Sequence, residues 1–184
     1  GPHLSSPTAF SHAVNNMGAG LLSLLLGIEG PCFTISQFEL SFAGAVSTAA
    51  ALLGAGRAER VLLCAVDETD NRFSRCCPEY LSNKHPQTEG AVALCLGREA
   101  AGAPSLQVRW GQQPEADGPV FASGAASGPG WANHEHLYGH GPLAHALDVM
   151  LALNMPQTDR AEAVNCVCAA AASGRQVLIE VRGA

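Results

Sequence analysis

The stretch at residues 32–53, CFTISQFELSFAGAVSTAAALL, most constrains what this chain can fold into. A β-branched run (Phe33, Thr34, Ile35) ends in a short polar turn and passes straight into a helix of small residues. A strand–turn–helix of this kind is how an α/β protein presents a nucleophile at the positive end of a helix. Here the turn carries no nucleophile, and the residue at the key place is read as Glu39. The chain has the frame of a covalent catalyst without its reactive atom.

The rest of the chain fits an α/β reading. Residues 11–27 read as a helix capped by Ser11, with Val14, Met17, Leu21, Leu22 and Leu25 on one face. Residues 32–36 read as a strand and 40–54 as a helix rich in Ala and Gly, buried on several sides. The apolar runs at 60–66 and 90–96 read as strands, the first covered on both faces. A strand is expected at 106–110, a loop over 112–132 and a helix over 141–154 with Pro142 in its first turn. Strands at 164–170 and 176–182 flank Ser173-Gly174, a hairpin turn. Strands alternating with helices, then paired strands, predict a mixed β-sheet covered by helices. Helix–strand–strand occurs twice, which divides a single domain into an N-terminal half (1–99) and an abbreviated second half (105–184). A pseudo-twofold between them would bring two helix starts together, the ends that carry Glu39 and His140.

Composition narrows the classes. Only 14% of the 184 residues are charged, the net charge is −6 and aromatics are 5%. Such low charge suits a chain that hides part of its surface in a partner. Without a basic patch, nucleic acid is not an expected partner. No run reaches the ~20 apolar residues of a membrane span, and no signal-peptide pattern opens the chain. The seven cysteines are odd in number and lack a CxxC, so a reducing, cytoplasmic setting without disulfides is expected.

Two positions carry candidate chemistry. A cysteine in place of Glu39 would be activated by the helix field, whereas a glutamate there is stabilised but is a poor acyl acceptor. It can equally be an ordinary helix-start carboxylate. His140, between Gly139 and Gly141, precedes a helix and could hold an acyl oxygen, or be a loop histidine satisfied by backbone. His134, His136 and His140 have spacing that could ligate zinc, but the segment is Gly- and Pro-rich, so no metal is expected. His145 and Asp148 are assigned to a solvated helix face.

These residues together resemble the β-ketoacyl synthases of the thiolase-like superfamily. The resemblance is carried by the helix around Ser11-His12-Ala13-Val14-Asn15-Asn16, by Gly30-Pro31 before Phe33-Thr34-Ile35-Ser36, by the helix after Glu39, and by Gly139-His140. It implies Glu39 and His140 as degenerate catalytic positions, with Gln37 or Phe38 at the nucleophile's place if the register shifts. It implies an acyl pocket bounded by Gln37, Phe38, Ser41, Phe42 and Gly139. A dimer edge is implied along Cys32, Phe33, Thr34, Ile35 and Ser36, with Cys32 pointing away from the pocket. The family's first catalytic histidine has no counterpart, Glu135 stands where a lysine is expected, and the chain is about half the usual length. The pattern is similar to chain length factors of type II polyketide, fatty acid or aryl polyene synthesis, which pair with an active ketosynthase. The resemblance implies a non-catalytic subunit that meets an acyl carrier protein and an active ketosynthase or its own copy, and calls for no cofactor. A malonyl-thioester decarboxylase using Glu39 and His140, or a homodimeric acyl-binding scaffold, are the alternatives.

Overall fold

A computed structural model of the chain describes residues 6, 14–68, 86–98, 102–114, 118–155 and 163–183. Helix α1 is Met17–Leu26, closed by Gly27 in the left-handed conformation (φ 63°). The predicted Ser11 cap lies outside the described residues. A 3-10 turn, Phe38–Leu40, leads directly into α2, Ser41–Gly54. The hairpin strands β1 (Arg60–Asp67) and β2 (Gly90–Gly97) follow, antiparallel from Arg60↔Gly97 to Asp67↔Gly90. Then come β3 (Ser105–Trp110), β4 (Val120–Gly124), the single turn α3 (Glu135–Tyr138), α4 (Ala144–Asn154), β5 (Val164–Ala169) and β6 (Gln176–Arg182).

Among the described residues β1 and β2 form one sheet, and β3-β6-β5-β4 form a second, mixed one. Only β4 and β5 run parallel; the remaining pairs in the second sheet are antiparallel. Strand β5 is buried along its whole length and β6 along most of it, as expected for central strands of a covered sheet. Helix α4 packs on this sheet and reaches β2, while α2 packs against β1 and β3. Close approach is possible because α4 presents Ala144, Ala146, Val149 and Ala152 to the core, all fully buried. On β6, buried Glu180 is paired with Arg109 (3.0 Å) of the edge strand β3 and with Arg182, so its charge is compensated by two guanidinium groups.

Several expectations change. Residues 32–36 are not a strand of either sheet, because no neighbouring chain segment among the described residues offers them a ladder. Strand β1 is covered on one face only: Leu62 and Val66 are 42% and 71% exposed. Helix α2 buries one stripe, Phe42, Ala43, Val46, Ala49 and Leu53, rather than several sides. Helix α1 buries none of its residues. Strand β4 lies inside the expected loop, formed by its parallel ladder to β5. Helix α4 starts at Ala144, after Pro142. His145 and Asp148, expected on a solvated face, are 1% and 0% exposed. Their burial follows from partners elsewhere: the Cys166 carbonyl faces His145 Nε2 at 3.2 Å, and Tyr138 and His134 reach Asp148.

Candidate functional site

The turn before α2 is built by local chemistry. The Gln37 N–H donates to Ser41 Oγ at 2.7 Å, and the Ser41 hydroxyl donates to the Phe38 carbonyl at 2.6 Å. These bonds tighten the chain into the 3-10 turn and push Phe38 to φ 50°, a strained conformation for a side chain of this bulk. Gly44 leaves room for Gln37 and Ile35: a Cβ there would sit 3.0 Å from Gln37 Oε1. The strained tip is therefore Phe38, 54% exposed, while Glu39 beside it is buried at 5%. The Glu39 carbonyl accepts from the Cys168 thiol at 3.4 Å, which ties the turn to β5. Burial pushes that thiol up to about 12, and the nearby carboxylates Glu39, Asp148 and Glu135 add to the rise.

A second loop approaches the same region. His140 donates its N–H to the Pro86 carbonyl and accepts from the Thr88 N–H, each at 2.8 Å. Gly139 makes this clasp possible with φ 90°; a Cβ there would lie 2.7 Å from the Pro86 oxygen. The loop is anchored from behind. Tyr138 Oη and His134 Nδ1 both donate to Asp148 Oδ1, the latter at 3.3 Å, and His134 sets its edge against Phe121, with centroids 4.5 Å apart. Burial, reinforced by the Asp148 charge, pushes the Tyr138 hydroxyl far above its usual value. Burial also raises the Asp148 carboxyl, against the stabilising bonds from Tyr138 and His134.

Between turn and loop runs a groove of about 640 Å³. Its walls are mainly apolar side chains of α1, α2, β1 and residues 28–36, including Ile35, Phe42, Leu52 and Leu63; its polar end carries Asp67, Thr88 and His140. Of the site residues expected from sequence, Phe38, Ser41, Phe42 and His140 line it, whereas Gln37, Glu39 and Gly139 do not. All of Cys32, Phe33, Thr34, Ile35 and Ser36 line it as well, so Cys32 faces the groove rather than away from it. The three histidines of the spaced cluster each have a different partner: His134 meets Asp148, His136 the Asn133 carbonyl, His140 the Glu135 carboxylate. Sequence reasoning missed Asp67, Thr88 and the role of Glu135. An acidic residue ending an apolar strand, as Asp67 does, was the available signal.

Two sheets with helices packed on them, and a strained turn feeding a helix beside an apolar groove, make an α/β protein with the arrangement expected of the thiolase-like fold. The family model described as "Beta-ketoacyl synthase, N-terminal domain" matches residues 3–135, and the chain belongs to that family. Three solved structures share the fold. The ishigamide ketosynthase/chain length factor aligns with TM-score 0.77 at 14% identity, over 99% of this chain and 65% of its own. A type II PKS acyl-carrier protein in complex with its ketosynthase, bound to the hexaketide, gives TM-score 0.75 at 14% identity, over 97% and 67%. A β-ketoacyl synthase from Burkholderia phymatum STM815 gives 0.65 at 13%, over 97% and 68%. The chain thus spans about two thirds of the length of these structures. No curated protein matches the sequence. Among the described residues no helix is long and apolar enough to cross a membrane.

Proposed function

We propose that this chain is a non-catalytic, chain-length-factor-like partner of an acyl-carrier-protein-dependent condensing enzyme, in polyketide, fatty acid or aryl polyene synthesis. The observation that carries this reading is the turn itself. Its strained tip is Phe38, followed by buried Glu39, and neither side chain can form an acyl thioester. The fold likeness to proteins described as a chain length factor and as a ketosynthase holding a carrier protein supports the choice of partners. The decarboxylase alternative is supported less well, since Glu39 does not line the groove.

The isolated chain should yield no condensation product with acyl- and malonyl-carrier thioesters, and mass spectrometry should find no acyl adduct on any residue. Cys32 is the thiol to watch because it faces the groove. An adduct there, or any β-ketoacyl product, removes the reading.

The exposed apolar surface supports a partner on this side. Leu24 and Leu25 of α1 are 81% and 80% exposed, and Phe33 is 59% exposed. Residues 32–36, which lack a ladder among the described residues, fit a strand completed across a twofold, by a second copy or by a ketosynthase. Thr34→Lys should weaken that association by about 100-fold, because an unpaired charge would be buried in the joint sheet. Light scattering across a dilution series checks this. A chain that is monomeric at high concentration, with or without a ketosynthase, contradicts the assignment.

A further inference from the structure

The polar end of the groove holds a pair of groups that the subunit reading does not use. Glu135 is buried, at 7% exposure, and its Oε1 lies 2.9 Å from His140 Nδ1. The contact is built in from several directions. His134 and Tyr138, on either side of Glu135, are both tied to Asp148, and the Gly139 N–H closes onto the Glu135 carbonyl at 2.8 Å. The His140 backbone is clasped on both its N–H and its carbonyl by residues 86–88. These bonds fix the backbone from which both side chains project, so the two are held within reach of each other.

An ionised carboxylate only accepts hydrogen bonds, so the proton between the two must sit on Nδ1. A neutral imidazole with Nδ1–H has a bare lone pair on Nε2. Because Nδ1 is occupied by Glu135, Nε2 is the nitrogen left for a molecule in the groove that His140 lines. Asp67 also lines the groove; its Oδ2 lies 3.8 Å from where a side chain on Gly141 would begin. A carboxylate is again an acceptor. Thr88, whose buried Oγ1 has no partner among the described residues, lines the same end, and its hydroxyl can donate or accept. A ligand hydroxyl can therefore donate to His140 Nε2 or Asp67 and accept from Thr88, whereas a bare carbonyl or ether oxygen can only accept, against walls that are mainly apolar.

We propose that Glu135 is a positioning residue that fixes His140 as the Nδ1–H tautomer, and that the groove thereby selects an apolar chain ending in a hydroxyl over one ending in a bare carbonyl or ether oxygen. This is opposite to the carbonyl-holding role expected for His140 from sequence, which needs the proton on Nε2. It holds whether or not the chain partners a ketosynthase, so its test does not depend on one.

Two measurements on the whole chain at about pH 8, above the ordinary imidazole range, decide it. Long-range proton–nitrogen correlation spectra of histidine-labelled protein should show His140 with the proton on Nδ1, the signal being assigned by its loss in His140→Ala. Glu135→Leu should shift it toward Nε2–H, an effect that a merely structural role would not produce. A wild-type His140 protonated on Nε2 overturns the proposal. Calorimetric titration should show 1-octanol binding about fivefold or more tightly than heptyl methyl ether, a molecule of the same size class that cannot donate. In Glu135→Leu the preference should narrow to within about twofold. Equal binding to the wild type, a preference for the ether, or no binding of either probe overturns the ligand assignment. Should Glu135→Leu not fold, the wild-type spectrum and the wild-type pair of affinities still decide between these outcomes.

Discussion

Lowering the pH from 7 to about 4 will cost the fold about 3 kcal/mol through one side chain, His145. Its imidazole is fully buried, with the Nε2–H donating to the Cys166 carbonyl at 3.2 Å and its edge against the Phe42 ring. Burial lowers it to about 4, and the bond to Cys166 offsets only part of that. The unfolded chain takes up this proton near the ordinary 6.5, while the folded chain resists until about 4. The sign follows: above about 6.5 the residue adds no pH dependence, between 6.5 and 4 stability falls with falling pH, and below 4 the loss levels off. The separation between about 6.5 and about 4, at about 1.36 kcal/mol per pH unit, gives the quoted size. Asp148 works in the other direction, because its raised carboxyl binds a proton more readily in the folded state and so gains stability on acidification. The two are separated by comparing the wild type with His145→Gln, which keeps an N–H for Cys166 but cannot titrate. Denaturant unfolding at pH 7, 5.5 and 4 should show the two curves converging or crossing by about 3 kcal/mol as pH falls. Parallel curves would mean that His145 is hydrated or charged at neutral pH, against its burial.

His145 and Asp148 show where sequence patterns stop. A histidine and an aspartate three apart on a helix look like a solvated face, since nothing nearby in sequence compensates them. Their partners are the carbonyl of Cys166, 21 residues on, and Tyr138 and His134, before the helix across a turn. Burial of a polar group is decided by such partners rather than by its own type. Strand β4 escapes the sequence for a related reason. Val120-Phe121-Ala122-Ser123-Gly124 has weak strand propensity, and its ladder comes from a parallel neighbour more than 40 residues away. By contrast, α2, the strands β1 and β2 and the β5–β6 hairpin are legible, because each strand and helix has a local apolar pattern and the β5–β6 pair has a short turn at Ser173-Gly174. The apolar run of β1 suggests cover on both faces, yet a hydrophobic pattern reports what a strand can bury, not whether a covering layer lies in the same chain.

The site is legible in part. The strand–turn–helix points to the right turn, and the Gly139-His140 pair to the right loop. The identity of the turn's tip is not readable, because backbone strain at Phe38 arises from the Ser41 hydroxyl bridging Gln37 and Phe38, a detail of side-chain geometry. The Glu135–His140 pair is hidden as well. The two residues are five apart, a spacing that is not adjacent on a helix, and they meet only because the helical turn α3 ends at Gly139 and the chain reverses there.

Gly139→Ala should be the most damaging single-methyl change near the groove, lowering stability by about 2–4 kcal/mol and dissolving the clasp that holds His140. Two costs combine. The φ of 90° lies where a residue with a Cβ pays about 1–3 kcal/mol. The new methyl would also stand 2.7 Å from the Pro86 oxygen, 3.0 Å from the Thr88 nitrogen and 3.1 Å from the Gln87 carbonyl carbon. These are backbone atoms, so they can retreat only by breaking the two 2.8 Å hydrogen bonds between His140 and residues 86 and 88. Loss of those bonds exposes polar groups of a half-buried loop and frees the imidazole from Glu135. Gly174→Ala is the matched control: its φ of 64° is also left-handed, but a Cβ there meets nothing within 4 Å. It should cost only about 1 kcal/mol, the conformational share alone. Chemical denaturation of both variants gives the stabilities, and amide hydrogen exchange at Thr88 and His140 reports the clasp directly. Fast exchange at both amides in Gly139→Ala, with slow exchange retained in Gly174→Ala, is the expected pattern. Equal stabilities for the two variants would mean that the clasp at residues 86–88 does not hold His140 in solution.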